Sequence, residues 1–324
     1  MNKKLFVVQS AGRLDKVLTQ ELGESRNQVE QLIKEGLVFV NQKVVIKTGY
    51  KVSIDDTIEY SFREIVPKER VVVDFDVEIL YEDEVMMVIN KPAGLVVHPA
   101  PSVKEATLVD WLVQKGISLS TIAGEERHGI VHRIDKDTTG ALVIAKTNEA
   151  HQKLSEQLRD KSMGRYYLAV IDHPLKQSGI IEKPIGRSRN NRLRMDIVPE
   201  GKPAKSAFYK LVESLSSNYE LISIKLFTGR THQIRVHLNS LGRHILGDVL
   251  YGFKSKKDTI NRVLLHAYKL YLIHPTTGKK VEFVAPLFPD MQEFIYRKFN
   301  QGEIDEKIDP VVIDGYFTSV NDRM

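Results

Sequence analysis

The sequence predicts an α+β protein, with a small mixed unit at the N-terminus followed by a larger, mainly antiparallel domain. Three observations carry this. From about Val77 onward, short apolar runs recur at 86–89, 141–145, 166–171, 219–226 and 270–273, with the lengths expected of strands. Helical spacing is confined to a few stretches, at 108–115, 149–159 and 231–241. The first sixty or so residues follow a different order, two short helices and then a hairpin, and the charged, proline-interrupted stretch at 63–75 separates them from the rest.

In the N-terminal unit (1–62), Leu14, Val17, Leu18 and Leu22 share one helical face. Ser25 and Gln28 then fit a capping box, Val29, Leu32 and Ile33 form the next apolar stripe, and Gly36 ends the helix. The runs 37–40 and 44–46 read as two strands joined by Asn41, Gln42 and Lys43. This order, with Arg-Leu-Asp-Lys from Arg13, Ser-Arg at 25–26 and Leu-Ile-Lys-Glu-Gly from Leu32, resembles the S4 RNA-binding domain. The resemblance implies RNA contacts through Arg13, Lys16, Arg26 and Lys34, each of which reads equally as a solvated surface charge. Nine basic and eight acidic residues nearly balance in 1–62, so binding there relies on one clustered face.

In the second domain (76–302), 219–226 alternates in part, as a half-buried antiparallel strand does. The stretch 303–324 reads as an acidic tail of net charge −4, leaving +9 on the remaining residues. Residues 183–210 hold eight Lys or Arg against Asp196 and Glu200. Such concentration suits a polyanion and equally a solvated loop.

Composition narrows the function classes. There is no cysteine, so thiolate zinc sites, disulfides and a cysteine nucleophile are excluded. No run of about 18 apolar residues predicts a membrane span. The four-residue apolar stretch after Lys3 and Lys4 is too short for a signal peptide, and the protein is expected to be cytoplasmic. His128 and His132 are four apart, but Gly129-Ile130-Val131 between them points to extended chain, and no His-Glu-x-x-His occurs. No metal or other cofactor is expected.

The most informative stretch is His132-Arg133-Ile134-Asp135-Lys136-Asp137-Thr138-Thr139-Gly140, followed by the apolar run 141–145. Arg133 and Asp135 share a face in extended backbone, and a carboxylate at the lip of a buried strand calls for a partner. The bland alternative is an Asp that caps a turn with Thr-Thr-Gly. A protein-kinase catalytic loop is excluded, because the Asp comes one residue late and no Asp-Phe-Gly accompanies it.

Further strings run 228–238 (Thr-Gly-Arg-Thr-His-Gln-Ile-Arg-Val-His-Leu), 164–170 (Gly-Arg-Tyr-Tyr-Leu-Ala-Val), 90–99 from Asn90-Lys91-Pro92, and 262–267. In 228–238, Thr231 can cap a helix whose Ile234, Leu238 and Leu241 face the core. Together with His132–Gly140 these strings resemble the RluA-type pseudouridine synthases, in particular the RluD-like and RluC-like members that also carry an S4 domain. The chain departs from the usual signature at Ile134, where Leu is usual, and Thr139, where Ser is usual.

The resemblance implies isomerisation of specific uridines to pseudouridine in structured RNA, most naturally large-subunit (23S) ribosomal RNA, with transfer RNA as the alternative substrate. It implies that Asp135 is the central catalytic group, acting as nucleophile at C1′ or as base at C2′, with Arg235 holding it ionised. Tyr167 matches the base-stacking tyrosine, Tyr166 being the neighbouring register; Arg133 supports the flipped nucleotide, Lys91 touches RNA, and Leu265 walls the base pocket. The reaction is redox-neutral and needs neither ATP nor metal. Two other classes stay open: a non-catalytic RNA-binding or ribosome-assembly protein, and a glycosidic hydrolase using Asp137 as a second carboxylate.

Overall fold

The structure is a computed structural model and describes residues 3–22, 26–61, 72–100, 103–117, 119–120, 128–254 and 260–317. The chain divides into two compact units, 1–70 and 71–324. Most of the expected linker, 63–71, lies outside the described residues, as does Ser25 of the expected capping box.

The first unit runs β1 (Lys3–Val7), β2 (Gly12–Arg13), α1 (Leu14–Leu22), α2 (Arg26–Lys34), β3 (Val38–Val40), β4 (Lys43–Val44), β5 (Lys51–Val52) and β6 (Thr57–Ser61). Its main sheet has the order β1-β6-β3-β4, and β2 pairs with β5. Leu14, Leu18, Val29 and Ile33 are fully buried against Val38, Val52 and Ile58, so the two helices cover one face of the sheet. Asn41 and Gln42 sit at φ 48° and 69°, the mirror-image turn whose twist matches that of the strands. The hairpin loop is therefore two residues long, and Lys43, expected in it, already pairs with Val40.

The second unit runs β7 (Glu78–Glu82), β8 (Met86–Lys91), α3 (Leu108–Gln114), β9 (Thr139–Ala145), α4 (Asn148–Asp160), β10 (Gly164–Asp172) and β11 (Gly179–Glu182). It continues through β12 (Ile185–Arg187), β13 (Met195–Ile197), β14 (Lys205–Glu213), β15 (Tyr219–Leu226), α5 (Gln233–Asn239), β16 (Leu265–Ile273) and β17 (Lys280–Val284). Three helices close it: α6 (Pro289–Lys298), α7 (Gln301–Lys307) and α8 (Pro310–Tyr316). Thr107 and Asp110 cap α3 reciprocally, and Thr147 caps α4, each satisfying amides that the first helical turn leaves free.

A nine-stranded sheet of order β11-β14-β15-β10-β16-β9-β8-β7 forms the body, with β17 also on β16. Every pairing is antiparallel except β16 with β9. At that parallel junction Gly140 has φ +111°, and a Cβ there would lie 2.3 Å from the carbonyl oxygen of Ala267. Only glycine lets the two backbones meet so closely.

Three expectations are corrected. Thr231 does not cap α5; the cap position is His232, in left-handed backbone at φ 56° and without a side-chain cap bond. Leu241 is exposed, because Gly242 at φ +66° ends the helix and Arg243 N–H returns to the Leu238 carbonyl, a turn that puts Leu241 beyond the buried stripe. The stretch expected as an acidic tail is, over its described part, α7 and α8. Ile304, Ile313 and Phe317 are buried in one cluster with Tyr166 and Phe294, while Asp314 pairs at 2.9 Å with the buried Lys269. The acids occupy the wet side of helices whose apolar side is core.

Candidate active site

The pocket is built where the loop before β9, the strand β10 and the loop entering α5 converge. It is a concavity open to solvent at its mouth, lined by Arg133, Asp135, Arg165, Tyr167, Arg235 and Leu265 among others.

Asp135 stands at the end of its loop. The turn after it is closed by its backbone carbonyl, which accepts from Thr138 N–H at 3.1 Å. The carboxylate is thus free of the capping duty that was the bland alternative. It lies 3.4 Å from Arg235 Nη1 and 4.0 Å from His232 Nε2, and its side chain is 20% exposed. Asp137, the candidate second carboxylate, is exposed on the same loop.

Arg235 projects from the first turn of α5. Its Nε and Nη2 donate to the two carboxylate oxygens of Asp248 at 2.7 and 2.8 Å, a bidentate fork that sets the guanidinium plane. Burial opposes its charge, but Asp248 and Asp135 outweigh that and hold it firmly protonated. The ring of Tyr251 lies 4.9 Å from the Arg235 guanidinium carbon and 4.9 Å from that of Arg194. The Tyr251 hydroxyl accepts from Met195 N–H at 2.8 Å and lies 3.0 Å from His232 Nδ1. Burial pushes the His232 imidazole below its ordinary value, against the pull of Asp135, so the ring stays neutral at pH 7. Gln233 pins the loop entering α5, since its side-chain oxygen accepts from Thr228 Oγ and Arg230 N–H while its amide donates to Lys205 O and Ser206 Oγ. Asp248, Tyr251 and Gln233 were not singled out in the sequence; Asp248 and Tyr251 lie 13 and 16 residues beyond Arg235 and no local pattern marks them.

Tyr167 and Tyr166 point to opposite faces of β10. Tyr167 lines the pocket, and burial pushes its hydroxyl up. Tyr166 packs behind the sheet, 5.4 Å from the ring of Phe317. Leu265, 3% exposed, walls the pocket at the start of β16. Arg133 is exposed, with Nη1 3.4 Å from His98 Nε2. His132 accepts from Val143 N–H at 3.4 Å, and burial together with Arg165 pushes its ring down to about 3.

Lys91 is placed where RNA cannot reach it, which corrects the expectation of an RNA contact. It is fully buried, and Nζ donates to the carbonyls of Pro92, Leu95 and Lys136 at 2.7, 2.8 and 2.9 Å. A lysine ammonium has three protons, and here all three are used. The Lys136 carbonyl follows Asp135 directly, so Lys91 braces the Asp135 loop from beneath. Burial draws its ammonium down to about 7, against the pull of Asp137 and Asp135.

In the first unit Arg13 forks onto the buried Asp15 at 3.0 and 3.1 Å, which ties it to the fold. Lys34 is exposed and lies 3.6 Å from Glu30, and Lys16 is exposed. The side chain of Arg26 lies outside the described residues. Among the described residues no three His, Cys, Asp or Glu side chains are placed to hold a metal ion, and no helix is long and apolar enough to cross a membrane.

Comparison with known proteins agrees with this architecture. Residues 85–240 match the family described as RNA pseudouridylate synthase, and residues 12–58 match the S4 domain. A Helicobacter pylori protein described as an uncharacterized RNA pseudouridine synthase is 47% identical over 92% of this chain and 93% of its own length. The ribosomal large subunit pseudouridine synthase D of Zymomonas mobilis is 41% identical over 86% of this chain and 92% of its own. Among solved structures, human RNA pseudouridylate synthase domain containing 4 superposes with a TM-score of 0.52 at 26% identity, over 68% of this chain and 92% of that one.

Proposed function

The chain belongs to the RNA pseudouridylate synthase family and carries an S4 domain, and on that footing we propose that it isomerises specific uridines of large-subunit ribosomal RNA to pseudouridine. Pseudouridine synthase activity on RNA comes with family membership; the ribosomal target is the finer inference. Supporting it are the likeness to the Zymomonas mobilis enzyme, over most of both chains, and the basic stretch 183–210, which forms β12, β13 and the start of β14. Phosphate neutralisation by such a stretch suits a large structured RNA.

The observation that carries the chemistry is the Asp135–Arg235 contact of 3.4 Å inside a pocket walled by Tyr167 and Leu265. A flipped uridine stacks on Tyr167, with Leu265 excluding water from the base. Asp135 then acts on the sugar, at C1′ as nucleophile or at C2′ as base, with Arg235 paired to its carboxylate at 3.4 Å. The C1′–N1 bond breaks, the uracil turns, and C5 rejoins C1′. Retention of the base in a dry pocket separates this outcome from hydrolysis.

A carbodiimide-based pseudouridine map of total RNA, with and without the gene, tests the reading. Loss of modification at one or more uridines of large-subunit ribosomal RNA is the expected result. Loss confined to transfer RNA moves the substrate there, and an unchanged map leaves a binding role.

A further inference from the structure

Arg165 is set apart from the other cations of the pocket. Arg235 has Asp248 and Asp135, Arg133 lies against His98, and Arg230 donates to the Pro203 carbonyl. Arg165 is 7% exposed, and its Nε is buried without a hydrogen-bond partner. Among the described residues nothing offers it an ion pair. A largely buried guanidinium with no counter-charge is costly, so its place in the fold calls for an acceptor brought by a ligand. Its position says which ligand. Arg165 precedes Tyr167 by two residues on β10, opposite Leu226 and Ile224 in an unbroken register with β15, so both side chains face the pocket. The guanidinium therefore lies at the edge of whatever stacks on Tyr167.

We propose that Arg165 is a catalytic residue that takes the carbonyl oxygens of the flipped uracil as the base departs. The inference rests on the pseudouridine synthase reading. When C1′–N1 breaks, its electron pair stays with the base, and the uracil anion spreads that pair over N1, O2 and O4. Arg165 donates N–H hydrogen bonds to a carbonyl oxygen whose charge grows in the transition state; no proton is transferred. When the base has turned, C5 returns an electron pair to C1′ and later gives up its proton. The role needs a cation that is pre-placed, largely buried and unpaired, which is the condition of Arg165. Backbone phosphates, by contrast, are suited to the exposed Arg133 and the half-buried Arg230.

The test compares wild type with Arg165→Met and Arg165→Lys in single-turnover glycosidic cleavage on large-subunit ribosomal RNA transcripts and on total RNA from a strain lacking the gene. The transcripts carry uridine or 5-fluorouridine. Arg165→Met should slow cleavage of uridine by roughly a hundredfold or more, the usual effect of losing one charge-stabilising donor. RNA affinity should hold within about twofold. The defect should shrink about tenfold on 5-fluorouridine, whose base leaves more readily as an anion, and Arg165→Lys should restore part of the rate. The melting temperature of Arg165→Met should hold or rise, because an uncompensated buried charge is gone. An equal defect on both bases with a lowered melting temperature makes Arg165 structural, and a defect in RNA affinity alone makes it a phosphate contact; either overturns the proposal. Unchanged cleavage in Arg165→Met sinks this inference while leaving the activity standing. Wild type inert on both RNA preparations sinks the activity itself, and the inference with it.

Discussion

Arg235 grips both carboxylate oxygens of Asp248, at 2.7 and 2.8 Å, and has only Nη1 left for Asp135. One guanidinium therefore serves two carboxylates with different tasks. Asp248, 1% exposed, orients it, and Asp135 meets it at the pocket wall.

The consequence for Asp135 is direct. Asp135→Asn should lower turnover by about a thousandfold or more, since an amide neither attacks C1′ nor takes a proton. RNA affinity should be retained, because the exposed cations are untouched. Residual turnover above about a tenth of wild type, measured on RNA from the deletion strain, counts against the assignment.

Asp248→Asn keeps the shape of the fork but removes its charge. The expected result is a fall in kcat of about ten- to a hundredfold with KM little changed, as Arg235 loses its fixed plane. Asp248→Ala should also destabilise by about 3–5 kcal/mol, because it strands a buried guanidinium. Equal kcat in Asp248→Asn and wild type would show that Arg235 needs no such clamp.

Lys91→Met distinguishes bracing from RNA contact. Three carbonyls, that of Leu95 buried, lose their donor, and a stability loss of about 2–4 kcal/mol is expected by denaturant titration. Turnover should fall with it, through the Lys136 carbonyl beside Asp135. The salt dependence of RNA binding should stay the same, whereas a lost phosphate contact lowers the slope by about one.

His266 sets an acid limit on the fold. It is fully buried, with Nδ1 2.8 Å from Thr139 Oγ and Nε2 3.0 Å from the Ala285 carbonyl. Burial, with a smaller push from Arg262, draws it from 6.5 to about 4, against the Ala285 carbonyl and Asp290. Below pH 6.5 the unfolded chain takes up a proton that the folded chain refuses. The contribution is therefore complete above pH 6.5 and is lost as pH falls toward 4, by about 3 kcal/mol at most. His266→Gln should flatten the acid limb of a stability–pH curve; an unaltered limb refutes the account.

Much of the scaffold was legible because its signals are local. The strand at Tyr219–Leu226 was read to the residue, and the helices at Leu108–Gln114 and Asn148–Asp160 to within one residue at each end, since apolar period is a property of short windows. The signature 132–140 brought Asp135 forward, and Gly140 shows why its last position is glycine. The helices α7 and α8 were hidden because acidic side chains on their wet faces masked Ile304 and Ile313, which only a face of the large sheet could bury.

By itself the sequence determined the two-part α+β architecture and the family, and it singled out Asp135. Only the tertiary structure decided that Lys91 braces instead of binding, that Tyr167 and not Tyr166 faces the pocket, and that Arg235 answers first to Asp248. The reason is physical. Periodicity and turn chemistry act over a few residues, whereas a charge takes its role from whichever partners the fold packs around it, here up to 100 residues away along the chain.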